Sequence, residues 1–337
     1  MEVNEPLVSV MMMTYNHAPF ITRAIEGVLK QETNFPFELV IGEDCSTDGT
    51  REIVLGYEKN HAGIVRVITS GKNVGAVKNG YRTEKACSGK YVAWCEGDDY
   101  WHNPGKLQKQ ADYMESHPAC GLVHSDYDRH IVKTGETIRD FNKIKNNIPP
   151  DNLDVSRILR GGKYLYILTC TVMARREILF EVLDGDPALY QHGKFMIGDT
   201  PRWAEIAWRS GTHYMNESLA TYTVLQGSLS KSNDHVKVLN FGKSNSELFL
   251  YLAKKYGLPD SELDYYTKKW CQYAMQLAFA KKDVGLAREA GKLKQHWSPK
   301  EHILSLGINS AFLNRVIKAM MYIKNKLPRV FNYEYAS

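Results

Sequence analysis

Tyr91-Val92-Ala93-Trp94-Cys95-Glu96-Gly97-Asp98-Asp99-Tyr100-Trp101 decides how this chain is read. Five uncharged residues, enough for one buried strand, run directly into three carboxylates. Carboxylates crowded at the carboxyl end of a strand repel one another unless a cation sits between them. The usual cation is hard and divalent, Mn²⁺ or Mg²⁺, held by oxygen ligands and shared with substrate phosphates. In open α/β sheets ligands bind outside those strand ends, so the acidic cluster lies where chemistry is expected.

Working outward, strands alternate with helices. Leu7 to Thr14 is apolar nearly throughout, as in a strand covered on both faces. Ile21, Ala24, Ile25, Val28 and Leu29 follow at helical spacing. Phe37 to Gly42 is a second strand, closed by Glu43-Asp44, and Ser46 to Thr50 reads as a turn in which Asp48 caps the next helix. Ile64 to Ile68, Tyr91 to Cys95 and Gly121 to Asp126 are further strands, with helices between them. This order predicts an α/β fold: a mostly parallel central sheet flanked by helices. Residues 130–165 are polar and weakly patterned, and read as an extended connection. Strand character returns at Leu168 to Ala174 and Tyr214 to Val224, with a helix opening at Thr200-Pro201 between them. Beyond Asn240 the pattern is helical. The expected division is a catalytic domain over 1–235 and a C-terminal helical extension over 236–337.

The bulk figures exclude several classes. Hydrophobic content is 43%, ordinary for a globular protein. Lys and Arg number 43 against 38 Asp and Glu, but 16 against 8 from Asn240 onward, so a mildly acidic front carries a basic tail. Within that tail Phe312, Leu313, Val316, Ile317, Met320 and Met321 form an apolar stripe flanked by Arg315, Lys318, Lys324, Lys326 and Arg329. Such a helix packs on the protein body, packs on a second subunit of a homo-oligomer, or lies on an anionic membrane surface. Nucleic acid is not the expected partner. Six cysteines without CxxC spacing fit free thiols in a reducing cytosol. No apolar run approaches the roughly 20 residues of a membrane span, so the expected location is cytoplasmic, with any membrane contact peripheral, on the inner membrane face. No GxGxxG follows the first strand, which disfavours a dehydrogenase, and no HExxH or other zinc spacing occurs.

Five elements, in order, resemble the family 2 glycosyltransferases, which have the GT-A fold. They are Val8-Ser9-Val10 with Thr14-Tyr15-Asn16; Glu43-Asp44-Cys45-Ser46-Thr47-Asp48-Gly49-Thr50; Asn73-Val74-Gly75; Glu96-Gly97-Asp98-Asp99; and Gly198-Asp199. The likeness runs from Val8 to about Ser230. Glu96 stands where the family's metal motif has its first Asp.

The resemblance implies roles. Thr14, Tyr15 and Asn16 line the nucleotide base, and Asp44 accepts its ring N–H, selecting uridine or thymidine donors. Lys72 and Asn73 lie beside the nucleotide. Glu96 and Asp98 face the ribose and metal, while Asp98 and Asp99 hold Mn²⁺ or Mg²⁺ against the diphosphate. Asp199 is the catalytic base that takes a proton from an acceptor hydroxyl during in-line, inverting attack. Lys231 belongs to a loop over the diphosphate, where relatives often carry an Arg near the position of Thr223. Trp101 is the candidate sugar contact, whereas Trp203 and Trp208 read as core. The implied activity is a non-processive transfer from a UDP- or dTDP-sugar donor to a glycan acceptor, lipid-linked in a polysaccharide setting such as capsule or lipopolysaccharide. Two rivals are a sugar-nucleotide pyrophosphorylase, which would want a basic Gly-rich loop that Thr14 to Phe20 lacks, and a nucleotide-sugar-binding module without turnover.

Overall fold

A computed structural model describes residues 5–160, 167–192, 195–196, 199–225, 234–293, 299–310 and 313–317. Its strands are β1 (Val8–Thr14), β2 (Phe37–Glu43), β3 (Val65–Ile68), β4 (Tyr91–Trp94), β5 (Tyr100–Trp101), β6 (Cys120–Ile131), β7 (Glu136–Ile138), β8 (Met173–Arg175) and β9 (Gly211–Val224). The helices of the first part are α1 (Ile21–Leu29), α2 (Thr50–Asn60), α3 (Ala76–Lys85), α4 (Lys106–Ser116), α5 (Phe141–Ile144), α6 (Val155–Arg160), α7 (Arg176–Gly185), α8 (Pro187–Tyr190) and α9 (Asp199–Arg209). They are followed by α10 (His235–Lys255), α11 (Asp260–Lys281), α12 (Val284–Leu293) and α13 (Pro299–Asn309).

One sheet runs in the order β3-β2-β1-β4-β8-β6-β9-β5, with β7 on β6. Its first half is parallel: β1 pairs with β2 and β4, and β2 with β3. β1 and β4 at its centre are buried along nearly their whole length, as in strands covered on both faces. On α1, Ile21, Ala24, Ile25 and Val28 are fully buried, the spacing of one helical face. The second half is mixed. β8 runs antiparallel to both neighbours, β6 and β9 are parallel, and β5 is antiparallel to β9. At the β1–β4 centre the register sets Met11 beside Trp94. The acidic segment therefore leaves the sheet next to the end of β1.

The stretch after residue 130 departs from the expected extended connection. β6 continues to Ile131, and β7, α5 and α6 follow, with Val155, Ile158 and Leu159 buried. Buried Asp126 organises this region: its carboxylate accepts from the Asn142 and Lys143 amides at the start of α5. Local periodicity gave no sign of that long-range anchor.

The chain divides into two compact units, one of Met1–Lys194 with Gly198–Leu225, the other of Phe195–Ile197 with Gln226–Ser337. The second is helical, with Trp270, Ala274, Met275, Ala278 and Phe279 of α11 packed on Ala290, Leu304, Ile308 and Ile317. Its first helix is capped by Asp234, which accepts from the Val236 and Lys237 amides. Of the basic C-terminal stripe only residues 313–317 are described, and there Ile317 is buried while Leu313 is exposed. Lys231 lies outside the described residues. Among those described, no helix is long and apolar enough to cross a membrane. None of the six cysteines forms a disulfide.

Candidate active site

Three loops at the carboxyl ends of β1, β2 and β3 are knitted into one corner. The Asp44 amide donates to Thr14 O. Asn16 takes φ +55°, which Asn tolerates, and its side chain accepts from the Thr47 amide while its own amide donates to Ser46 Oγ. His17 N donates to Thr50 Oγ1 and Ala18 N to Asp48. Asp48 also accepts from the amide and hydroxyl of Thr50, so it fastens the start of α2 from one residue before the N-cap, which is Gly49 and not Asp48. Buried Asp44 accepts from Val74 N at 2.8 Å and Gly75 N at 2.9 Å, clamping the loop that opens α3. Beside it, burial would raise the Glu43 carboxyl. Hydrogen bonds from Ser46 and the Arg51 guanidinium at 2.6 Å outweigh burial and hold that carboxyl below its ordinary range.

The acidic segment meets this corner directly. Cys95 N and Gly97 N donate to Met11 O and Met13 O, extending the β1–β4 ladder past the strand end. A Cβ on Gly97 would lie 2.8 Å from Thr14 Oγ1 and 2.9 Å from His17 Nδ1. Glycine is what lets the acidic loop touch the nucleotide-type loop.

Electrostatics here run opposite to the first corner. Asp99 is buried, and its carboxyl is pushed well up by burial and by Asp98 and Glu96. The Thr223 amide at 2.8 Å and the Cys170 thiol oppose that rise only in part. Glu96 is pushed up to about 8 by burial, Asp98 and Asp199, with Arg202 opposing. The phenol of Tyr222 on β9 is also raised, by burial and then by Asp99, Asp98 and Glu96, so it faces the same cluster. These are hard oxygen donors short of positive charge, which suits Mn²⁺ or Mg²⁺. Among the described residues no three His, Cys, Asp or Glu side chains converge as a ready-made ligand set. An ion held by one or two of these carboxylates would draw its other ligands from substrate phosphates and water.

Asp199 opens α9. Thr169 Oγ1 lies 3.4 Å from one carboxylate oxygen, and the Thr200 amide donates to the other at 2.7 Å. Its effect on Glu96 brings it to the acidic corner. Packing holds it there: Trp203 of α9 meets Trp94 of β4 edge to face, with centroids 4.9 Å apart, an arrangement worth about 0.5–1.5 kcal/mol beyond burial.

Thr14, Tyr15, Asn16, Asp44, Glu96, Asp98, Asp99 and Asp199 thus border one region of the first unit. Tyr15 is 43% exposed, open enough to pack on a base. Lys72 and Asn73 are exposed, and the Asn73 side chain accepts from Gly75 N within its own turn. Trp101 is a correction. It is buried, its Nε1–H donates to Cys170 O at 2.8 Å, and the Lys106 ammonium lies 4.2 Å from its ring. No face remains for a sugar. Trp208, read as core, is 56% exposed, whereas Trp203 is buried as expected. Sequence reasoning missed Arg51, Glu84, Cys170, Arg202 and Tyr222. Only Arg202 carried a local signal, lying one helical turn after Asp199. A cavity of about 470 Å³ lined by Tyr100, His102, Asp128, Glu217 and Thr221 includes none of these site carboxylates.

Comparison with known proteins meets this geometry. The family model described as Glycosyl transferase family 2 matches residues 9–180. TuaG of Bacillus subtilis, whose name places it in teichuronic acid biosynthesis, is 30% identical over 230 residues, 68% of this chain and 83% of TuaG. The uncharacterized protein Rv1520 of Mycobacterium tuberculosis is 39% identical over 173 residues, 50% of this chain and 47% of that protein. The chain thus spans about half the length of such mycobacterial relatives. Among solved structures, the mannosyltransferase PcManGT from Pyrobaculum calidifontis, determined with GDP-Man and Mn²⁺, covers 96% of this chain and 88% of its own. At 17% identity and a TM-score of 0.55, that likeness is one of fold.

Proposed function

The chain belongs to the family 2 glycosyl transferases and has the GT-A fold, and from that premise we propose that it transfers one sugar from a UDP- or dTDP-sugar to a glycan hydroxyl. Transfer is metal-dependent, non-processive and inverting, and serves the synthesis of a cell-surface polysaccharide. The observation that carries this reading is the contact at Gly97, where the acidic loop closes on Thr14 and His17. A nucleoside diphosphate seated at the first corner would deliver its phosphates to the second.

Thr14, Tyr15 and Asn16 provide backbone groups and an aromatic edge for the base. Asp44 retains acceptor capacity after its two amide bonds, since an ionised carboxylate offers about four lone-pair sites. A ring N–H, which uracil and thymine present, suits it. Asp98 and Asp99 would hold the divalent ion, which supplies compensation for charge growing on the leaving diphosphate. Glu96 and Asp98 face the ribose side. Asp199, fixed at the start of a packed helix, takes the proton of the incoming hydroxyl, and attack opposite the leaving group inverts the anomeric carbon. The residues up to 235 form the catalytic domain and 236–337 the extension. TuaG supports the polysaccharide setting through its name.

Thermal shift and hydrolysis with a panel of nucleotide sugars, with and without Mn²⁺, test this. Metal-dependent stabilisation by UDP or dTDP is expected. Preferential binding of adenosine or cytidine nucleotides, whose bases offer no ring N–H there, would reject the assignment of Asp44, and preferential binding of guanosine nucleotides would reject the uridine or thymidine donor.

A further inference from the structure

Glu84 is the point where the three elements carrying the site meet. It lies on α3, the helix opened by the loop that Asp44 clamps, and it is fully buried. Its Oε1 accepts from Trp94 Nε1 at 3.3 Å, two residues before Glu96 on the strand that feeds the acidic loop. The same oxygen lies 2.9 Å from Arg202 Nε on α9. Arg202 is 6% exposed and stands three residues after Asp199, on the same helical face. Its positive charge reaches Glu96, the carboxyl that also senses Asp199.

Burying an ion pair costs desolvation, and apolar residues of similar volume often hold two helices together as well or better. Apolar contact does not, however, fix rotation. A helix turns about 100° per residue, so a small slip of α9 about its axis would swing Asp199 away from the acidic corner. A guanidinium paired with one carboxylate selects one rotation. Gly80 of α3 lies beside this pair: a Cβ there would sit at an ordinary contact distance of 3.5 Å from Arg202 Nη2 and tightly, at 3.1 Å, against Met13 Sδ.

We propose that the buried Glu84–Arg202 pair is the positioning element for the candidate base, locking the rotation of α9 against α3 and β4 so that Asp199 keeps one orientation beside Glu96. This rests on the reading of Asp199 given above. Neither residue need touch substrate.

The test uses the full chain and release of UDP from UDP-GlcNAc, or from whichever UDP-sugar the wild type hydrolyses fastest. Arg202→Met, Arg202→Lys, the double variant Glu84→Leu with Arg202→Met, and Asp199→Asn are compared. Tm, UDP affinity, kcat and KM are read for each. The double variant removes both charges together and leaves Trp94 Nε1 without its acceptor. Its Tm is expected to fall modestly and its KM to stay near wild type while kcat falls about ten-fold or more, the scale on which misorientation of a reacting group is felt. Arg202→Lys, which keeps the charge, should recover part of the kcat lost in Arg202→Met. A double variant with wild-type kcat, or losses that track only Tm, would overturn the inference. Asp199→Asn separates the two claims. If it is inactive with UDP binding kept while the Arg202 variants are fully active, only the positioning role falls. If Asp199→Asn turns over normally, the base assignment itself is wrong.

Discussion

Two corners of the first unit are built from the same material and treat it in opposite ways. At the end of β2, Glu43, Asp44 and Asp48 are each satisfied by the protein: by the Ser46 and Arg51 groups, by the Val74 and Gly75 amides, and by Ala18 and Thr50. At the end of β4, burial and Asp98 push up both Glu96 and Asp99, and Asp199 adds to the effect on Glu96. Acidic clusters after strands look alike in sequence. The difference lies in whether backbone amides converge on them. The first corner is a finished scaffold. The second stores repulsion that a cation and a phosphate-bearing ligand would relieve.

The strongest attack on this contrast is Asp99→Asn. It keeps the acceptor for Thr223 N but removes one charge from the second corner. Turnover is expected to fall about 10³-fold, consistent with several kcal/mol of metal-derived charge stabilisation. The Mn²⁺-dependent thermal shift with UDP should vanish. A variant that still shows that shift would mean the ion is held elsewhere. Asp199→Asn comes next, with kcat reduced about 10²- to 10⁴-fold, the usual worth of a positioned base. UDP binding should be unchanged, because the role proposed for Asp199 is on the acceptor side. Joint loss of binding would merge its role with that of Asp98 and Asp99.

The parallel half of the sheet was readable because each apolar run ends at an acid or a turn and each helix follows at 3.6-residue spacing. The site was readable because its motifs sit at strand ends. Other features arise only from contacts between distant residues. Lys106 reads as a solvated helix position, yet it is fully buried, pushed down to about 7 by burial, with its ammonium donating to Gln110 Oε1 at 2.7 Å. It lies against Trp101, and that packing is what removed Trp101 from the sugar-contact residues. Glu84 and Arg202 likewise look like surface charges until α3 and α9 are brought together. The antiparallel seams at β8 had no local signature, since three residues carry almost no period.

Asp44→Asn probes the scaffold corner with a smaller effect. An amide offers one oxygen where the carboxylate offers two, so one of these half-buried bonds is lost, at a cost of about 1 kcal/mol in stability, less where Gly75 N falls back on Asn73 Oδ1. UDP affinity should fall, while the metal dependence of whatever binding remains should be unchanged. Loss of metal dependence in this variant would show that the two corners are not separable.

The finest comparison is the sign of a pH dependence. The Glu43 carboxyl is held below its ordinary 4.5, so its stabilising contribution is complete above that value and is lost as pH falls through the lower, folded one. Glu43→Gln should therefore be less stable than wild type at neutral pH, by about 1 kcal/mol, and the gap should close in acid. Glu96 is raised from 4.5 to about 8, so its contribution is complete below 4.5 and is lost as pH rises toward 8. In EDTA, Glu96→Gln should gain on wild type across that window, most at its alkaline end, because the amide cannot acquire the charge that Asp98 and Asp199 oppose. Adding Mn²⁺ and UDP should shrink the advantage, since the wild-type carboxylate then has a cation nearby. Melting curves of both variants from pH 2.5 to 9 provide the measurement, the acid end reading Glu43 and the span above 4.5 reading Glu96. Slopes of the same sign would mean that the second corner is already neutralised by the protein, and the case for a cation there would lose its electrostatic basis.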